Sequence, residues 1–455
     1  MNAHPEVLIV GAGLTGLAAA HTLQRAGRRV TVLDAAARAG GAVCTERGTG
    51  WLAEGGPNSL LVDDPALYEL FRELGLEQDL LEGNPAAQKR YLVRDGRLVE
   101  VPSSAAKAVT TPLFSFGAKL RIPWELMVPR RTATGDESVG SFVSRRLGPE
   151  FLDYAIDPMV SGIHAGDPQR LSIRHAFPKV YALEAEHGGL IRGALALRRA
   201  RKRSGTVPPR KKLISFRHGL GQLVDALAGR LGADLHLNQP VARVSPLPNG
   251  HWQVETASGV TLQAPQLVLA LPAWVLAKIP MPDALRQAIT PITEVIHPPV
   301  SVVVLGFPRA AVRHPLDGFG CLIPGVERRG ILGTLFSSTL FPGRAPEGQV
   351  LLTSFVGGRR FPERAEEDDT ALLARVTGEL EALLGLAAGT PPTFSRIFRW
   401  PRAIAQYELG YDHVLTAAAD AEAAFPGLHL AGHWRGGIAA PACLRHGLDL
   451  GQSLA

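Results

Sequence analysis

The chain is poor in cysteine. Only Cys44, Cys321 and Cys443 occur in 455 residues. They are odd in number and scattered, so neither a disulfide framework nor a metal-ligand spacing is visible, and a reducing compartment is expected. Long apolar runs are missing as well. No stretch of about eighteen apolar residues exists, so a transmembrane helix is not expected. The chain enters "EVLIVGAG" almost at once, without a basic region, apolar core and small-residue cleavage site, so no secretory leader is expected. No fixed-period repeat is found. What remains is an ordinary soluble composition, 46% hydrophobic and 20% charged, long enough for two or three domains with real cores. The net charge of +6 suits anionic partners such as phosphates, propionates, anionic lipid or nucleic acid, without choosing among them.

The first motif is local and dense. Val7–Val10 is a short apolar run that reads as a buried parallel strand. "LTGLAAAHTLQRAG" follows with helical spacing, Leu14, Leu17, Ala18 and Leu23 on one face and Gly27 at the end. "RRVTVLD" is a second strand. Gly11, Gly13 and Gly16 therefore form G-x-G-x-x-G between strand and helix: a tight turn, a close backbone approach to a pyrophosphate, and close helix–strand packing. Asp34, ending the second strand, is placed to accept ribose hydroxyls. Arg38 and the pair Gly40-Gly41 come next. Glycine permits another close approach and a guanidinium suits an anion. "AEGGPNS" (53–59) adds a third glycine-rich turn. A plain nicotinamide site has no use for the second and third turns; a longer dinucleotide does.

Further along, "ESVGSFVSRRLGPEFLDYAIDPMVSGIHAG" reads as two helices and a turn. The basic stretch 197–212 reads as a solvated linker or, alternatively, as a patch facing anionic lipid or substrate carboxylates. "ARVSPLPNGHWQVET" is a hairpin around Pro-Asn-Gly. "PQLVLALP" is a buried strand, and residues 299–307, 319–324, 331–336 and 350–356 read as strands of an antiparallel sheet. The C-terminal segment is again strand, glycine-rich loop and helix.

Together these motifs resemble a known family. "VGAGLTGL…LDAAARAGGAV…EGGPNS" is similar to the fingerprint of the flavoprotein amine oxidases and protoporphyrinogen oxidases. "PMVSGIHAGDPQRLSI" (158–173), "ISFRHGLGQLVDALAGRLG" (214–232), "GFGCLIPG" (318–325) and "LFPGRAPEGQVLLTSFVGG" (340–358) resemble the oxygen-dependent protoporphyrinogen oxidases, in that family's order. The resemblance implies an α/β plus α+β architecture in three parts. These are a discontinuous Rossmann-like FAD-binding domain (1–60, 207–272 and 397–455), a substrate-binding domain with an antiparallel sheet (61–90 and 273–396), and a mostly helical, membrane-binding subdomain (91–206).

The same resemblance implies non-covalent FAD along Gly11, Gly13, Gly16, Asp34, Arg38, Gly41, Gly56, Pro57, Asn58, Val241, Gly432, Ile438 and Ala439. For substrate it implies Arg90 on a propionate, Gly166 as a close approach, and Phe319, Leu322, Leu332 and Phe355 as apolar walls. No side chain is assigned a catalytic role, since the flavin takes the hydride. His164, His433 and His446 form no triad order, and no metal ligand set is seen. The implied activity is oxidation of protoporphyrinogen IX to protoporphyrin IX in three hydride-transfer steps, with O2 reduced to H2O2. Coproporphyrinogen III is the alternative. Arg90 and the "GPNS" sequence, where the coproporphyrinogen branch tends to read "GPDS", lean toward protoporphyrinogen. An amine oxidase, a desaturase or a non-catalytic prenyl-binding escort of the same fold fits less well. Implied partners are the porphyrinogen, O2, a peripheral membrane surface at the cytoplasmic face met by residues 109–131, hand-off of product to ferrochelatase, and a homodimer; no nucleic acid is expected.

Overall fold

The computed structural model describes residues 5–204 and 210–455. Its first unit is a five-stranded parallel sheet, in the order Leu235–His236, Val30–Leu33, Val7–Val10, Gln266–Ala270, Leu428–Ala431. The strands come from the start, middle and end of the chain. The central strand is apolar at every position because both faces are covered. Val7 and Ile9 pack into the layer made by the helices Leu14–Arg25, Gly221–Leu231 and Ala440–Ser453. Leu8 and Val10 pack against the hairpin Val241–Pro246/Trp252–Thr256, its third strand Thr261–Ala264, and the helix Asp412–Ala424.

The second unit is a seven-stranded sheet, ordered Phe394–Trp400, Val300–Pro308, Gln349–Gly357, Gly333–Leu335, Gly318–Leu322, Lys89–Arg94, Arg97–Glu100. The helix Asp369–Leu384 covers one face through Leu372, Val376, Leu380 and Leu384. The opposite face carries a cross-strand row, Phe398, Val302, Phe355, Gly333 and Leu322. This face meets the first unit: Trp51 stacks on Phe394 at 5.0 Å, and the Trp400 indole N–H donates to the Gly55 carbonyl at 2.6 Å.

Three expectations need correction. The sheet is mixed, because Gly318–Leu322 runs parallel to Lys89–Arg94; that partner comes from a segment more than two hundred residues away, and no local pattern reports it. The expected boundaries at 90/91 and 396/397 both fall inside strands of this sheet, where a cut would orphan paired backbone groups. The basic stretch is helical from residue 197 to 204, as the end of Leu190–Ser204, since Ala, Leu, Arg and Lys are all good helix formers. The expected boundary at 207 lies outside the described residues.

Between residues 105 and 204 the chain is mostly helical. Its centre is charged. Arg146 is wholly buried and donates to Glu125 at 2.9 Å, to Glu184 at 2.5 Å and to the carbonyls of Val128 and Gly188 at 3.0 Å. Burial alone would raise the Glu184 carboxyl, but hydrogen bonds from Arg145 and Arg146 hold it down at about 2. Glu125 also accepts from the backbone N–H groups of Leu190 and Ile191, which fastens the start of the last helix of this segment.

Candidate cofactor and substrate site

Three glycine-rich turns converge at the carboxyl ends of the parallel strands. Gly11 has φ 109°, and a Cβ there would stand 2.3 Å from the Ala270 carbonyl oxygen. At Gly16 a Cβ would stand 1.9 Å from the Gly11 oxygen. These two glycines are packing requirements. Gly13 differs: its backbone is ordinary (φ −75°) and a Cβ would meet nothing within 4 Å. It opens the helix Leu14–Arg25 without a side-chain cap, which leaves the first-turn N–H groups without a side-chain acceptor from that position. The second turn lies against the first. Gly40 donates to the Ala12 carbonyl at 2.7 Å, and a Cβ on Gly41 would come 3.4 Å from Gly13 Cα. The third turn lies on the second, because a Cβ on Gly56 would stand 1.9 Å from the Ala42 oxygen. Pro57 and Asn58 follow, half-buried, with Asn58 Nδ2 donating to the Gly56 carbonyl at 3.1 Å.

Asp34 and Arg38 do more here than their types suggest. Asp34 accepts from the backbone N–H of Ala12 at 2.6 Å and of Ala36 at 2.8 Å, bracing the first turn with the carboxylate expected to meet a ribose. Arg38 donates to the carbonyls of Ala39, Gly41 and Val43 at 3.2, 2.9 and 2.7 Å. Its guanidinium holds the second turn from outside.

A second uncapped helix start lies beyond the first. The loop after Leu428–Ala431 uses Gly432 (φ 145°) and Gly437 (φ 111°), and the helix Ala440–Ser453 begins after an extended Ala439 with no side-chain cap. The two helices pack in parallel, Gly447 against Thr15 and Gly451 against Ala19 and Thr22. That register sets the second helix start about 9 Å outward of the first, at about 1.5 Å per residue. The loop is held from behind. Tyr407 Oη donates to the His433 carbonyl at 2.6 Å, and the Trp434 indole donates to the Leu271 carbonyl at 3.0 Å. Tyr411 Oη donates to the Trp434 carbonyl at 2.5 Å, and the two tyrosines and Trp434 carried no signal in the sequence beyond being aromatic. Ile438 is half-buried and Ala439 exposed, while Val241 is half-buried against the core that also takes Leu8 and Val10.

These features fit a long dinucleotide. Two helix starts whose amides lack caps, joined by turns that hold no Cβ in the intervening space at Gly13, suit a pyrophosphate at one end and a flavin head at the other. Nearby histidines offer no charge: burial lowers His164, His297 and His433 to about 4, with His297 adding to the effect on His433. Among the described residues no group of three or more His, Cys, Asp or Glu is arranged to hold a metal ion.

The residues expected at the substrate fall into two groups. Leu322 and Phe355 share the cross-strand row, and Leu332 donates its backbone N–H to the Phe355 carbonyl at 2.8 Å. Gly162, in the helix Asp157–His164, sits over Leu322. Arg90 and Phe319 form the other group: the exposed guanidinium lies 5.7 Å from the Phe319 ring centre, and Phe319 packs with Leu340 and Phe341. Gly166 is buried after a left-handed Ala165 (φ 48°). That turn is fixed by Gln406, which donates to the carbonyls of His164 and Ile404 at 2.8 and 3.0 Å. Gln406 was not singled out from the sequence; its place beside an equally unremarkable tyrosine gave no pattern to find.

Comparison with known proteins gives the family and the fold. A family model described as flavin containing amine oxidoreductase matches residues 14–449. A chloroplastic protoporphyrinogen oxidase of Nicotiana tabacum is 33% identical over 99% of this chain and 85% of its own. A coproporphyrinogen III oxidase of Bacillus subtilis is 29% identical over 97% of this chain and 96% of its own. A crystal structure from Exiguobacterium sp., 24% identical, superposes with a TM-score of 0.81 and covers 98% of both chains. The cofactor is FAD, and the chain belongs to the flavin-containing amine oxidoreductase family.

Proposed function

We propose that this oxidoreductase converts a porphyrinogen to its porphyrin in three two-electron steps, with O2 taking the electrons and leaving as H2O2, and that protoporphyrinogen IX is the preferred substrate. One observation carries the reading beyond family likeness. Arg90, an exposed fork of donors, stands over Phe319 at one side of the sheet face that carries Leu322, Leu332 and Phe355. A carboxylate held by such a fork fixes one edge of a large ring whose remaining surface is apolar. FAD, when bound, supplies the hydride acceptor. The chain supplies orientation and a dry face: the leucines and Phe355 exclude water, and Gln406 fixes the turn at Gly166.

Coproporphyrinogen III remains the competing substrate because a bacterial relative of that name aligns over almost the whole chain. Timed assays with both porphyrinogens, read by porphyrin fluorescence, test the choice. Faster turnover of protoporphyrinogen IX is expected; faster turnover of coproporphyrinogen III overturns it.

Peripheral membrane contact at the cytoplasmic face belongs to the same proposal. No described helix is long and apolar enough to cross a membrane. The helix Phe116–Trp124 nonetheless has no buried residue, with Phe116 76% and Trp124 61% exposed beside Lys119 and Arg121. Apolar side chains flanked by cations suit an anionic interface. Co-flotation with anionic liposomes at low salt is expected, and failure to float counts against it.

A further inference from the structure

Residues 404–411 join the strand Phe394–Trp400 to the helix Asp412–Ala424 and belong to neither. Two consecutive side chains of this segment serve opposite sides of the site. Gln406 is 2% exposed. Its Nε2 donates to the carbonyls of His164 and Ile404, and a Cβ on Gly166 would stand 2.7 Å from its Oε1. The amide therefore fills the space behind the Gly166 turn. Tyr407, the next residue, serves the other loop. Its Oη donates to the His433 carbonyl at 2.6 Å, one residue beyond Gly432. The Tyr411 ring lies 4.5 Å from the Tyr407 ring, and its hydroxyl takes the next carbonyl, that of Trp434.

The main chain between these side chains is itself anchored. The Gln406 N–H donates to the Ile296 carbonyl at 2.9 Å, and the Tyr407 carbonyl accepts from the Ser172 N–H at 2.8 Å. The Leu409 N–H donates to the Arg170 carbonyl at 2.9 Å and the Gly410 N–H to Asp136 at 3.0 Å. One planar, stiff peptide unit thus separates the group that fixes the Gly166 turn from the group that fixes the loop at Gly432. Such a link matters where a hydride must cross between two ligands, because a misplacement of about 1 Å costs roughly 100-fold in rate.

We propose, on the cofactor and porphyrinogen placement above, that Gln406 and Tyr407 are positioning residues for hydride transfer: through one peptide link they set the gap between the flavin loop and the substrate turn. Their effect falls on the rate of transfer and not on either affinity. Loss of one side chain's hydrogen bonds lets one turn relax with its own ligand still bound.

Tyr407→Phe removes one hydroxyl and keeps the ring beside Tyr411. Gln406→Met keeps the length and loses both donated bonds. Each holoenzyme is mixed anaerobically with excess protoporphyrinogen IX, and flavin bleaching is timed. Limiting reduction is expected to slow at least about tenfold in each variant, with half-saturation, flavin content and O2 reoxidation of dithionite-reduced enzyme unchanged. The double variant is expected to be about as slow as the slower single one, because both changes open the same gap. Spectra give a second readout. Tyr407→Phe is expected to shift the visible flavin band with no substrate present, and Gln406→Met to leave that band and shift the Soret band of bound protoporphyrin IX. Where Gln406→Met does not fold, Tyr407→Phe carries the test alone. A parent enzyme that porphyrinogen does not reduce counts against the functional reading instead, and the flavin band of Tyr407→Phe then decides. Reduction at the parental rate, a loss confined to melting temperature, half-saturation or flavin content, fully multiplicative losses in the double variant, or an unshifted flavin band in Tyr407→Phe overturns the proposal.

Discussion

Gly13→Ala separates the needs of the fold from those of the coenzyme. The backbone at Gly13 is one that alanine adopts freely, and the added methyl meets no protein atom within 4 Å. Losing a glycine from the unfolded chain stabilises by about 0.4–1 kcal/mol. The apoprotein is therefore expected to melt at the same temperature or roughly a degree or two higher. The coenzyme is expected to suffer. The methyl enters space that no protein atom occupies within 4 Å, beside the uncapped first turn of the helix, and is expected to crowd a phosphate there. Losing one such charge-assisted bond costs about 1.5–3 kcal/mol, or roughly 10- to 150-fold in affinity. Gly16→Ala is the control, because its methyl would sit 1.9 Å from the Gly11 oxygen and must push the helix off the sheet, lowering both melting temperature and flavin content. The assay pairs thermal melts of apoprotein with flavin retained after dialysis and fluorescence-monitored reconstitution. A Gly13→Ala protein that binds FAD as tightly as the parent, or an apoprotein markedly less stable, would refute the reasoning.

Arg90→Ala is expected to raise the porphyrinogen KM roughly tenfold while leaving flavin content and dithionite-reduced reoxidation alone; an unchanged KM removes Arg90 from the substrate. Arg146→Met leaves the buried Glu125 without its guanidinium partner, while Glu184 keeps Arg145, at a cost of about 3–5 kcal/mol, and limited proteolysis should then cut within residues 105–204 while the protein stays yellow. Acid should destabilise the fold early. His164, His297 and His433 sit at about 4 when folded, against about 6.5 unfolded. Below about 6.5 only the unfolded chain takes up these protons, so stability falls from there to about pH 4, by up to roughly 3 kcal/mol per histidine. A urea midpoint flat across that window contradicts their burial as neutral rings.

The legible part of the site is the part whose requirements are local. A Cβ-free turn between strand and helix must be written in consecutive residues, so Gly11, Gly13 and Gly16 announce themselves, and so does the Pro-Asn-Gly hairpin. Asp34 and Arg38 stand at the glycine-rich turns, but their bonds to the backbone of those turns were not legible. Whether a carboxylate or guanidinium meets a ligand or the neighbouring backbone depends on where the intervening turn folds back. The strand Lys89–Arg94 gave no hint of its parallel partner, and Arg344, although inside a quoted motif, gave no hint that it would be sealed beside Glu54 and Ser215.

Period, apolar runs and glycine spacing thus determined that this chain builds a parallel sheet with a dinucleotide cradle and a second sheet beside it. These signals act within a few residues, where backbone sterics and side-chain alternation operate. Only the tertiary structure decided which buried charges pair and which sheet face looks toward the cradle. Those outcomes are set by Coulomb and hydrogen-bond contacts between distant segments, 345 residues apart for Trp400 and Gly55, and a linear pattern does not encode which distant segment arrives.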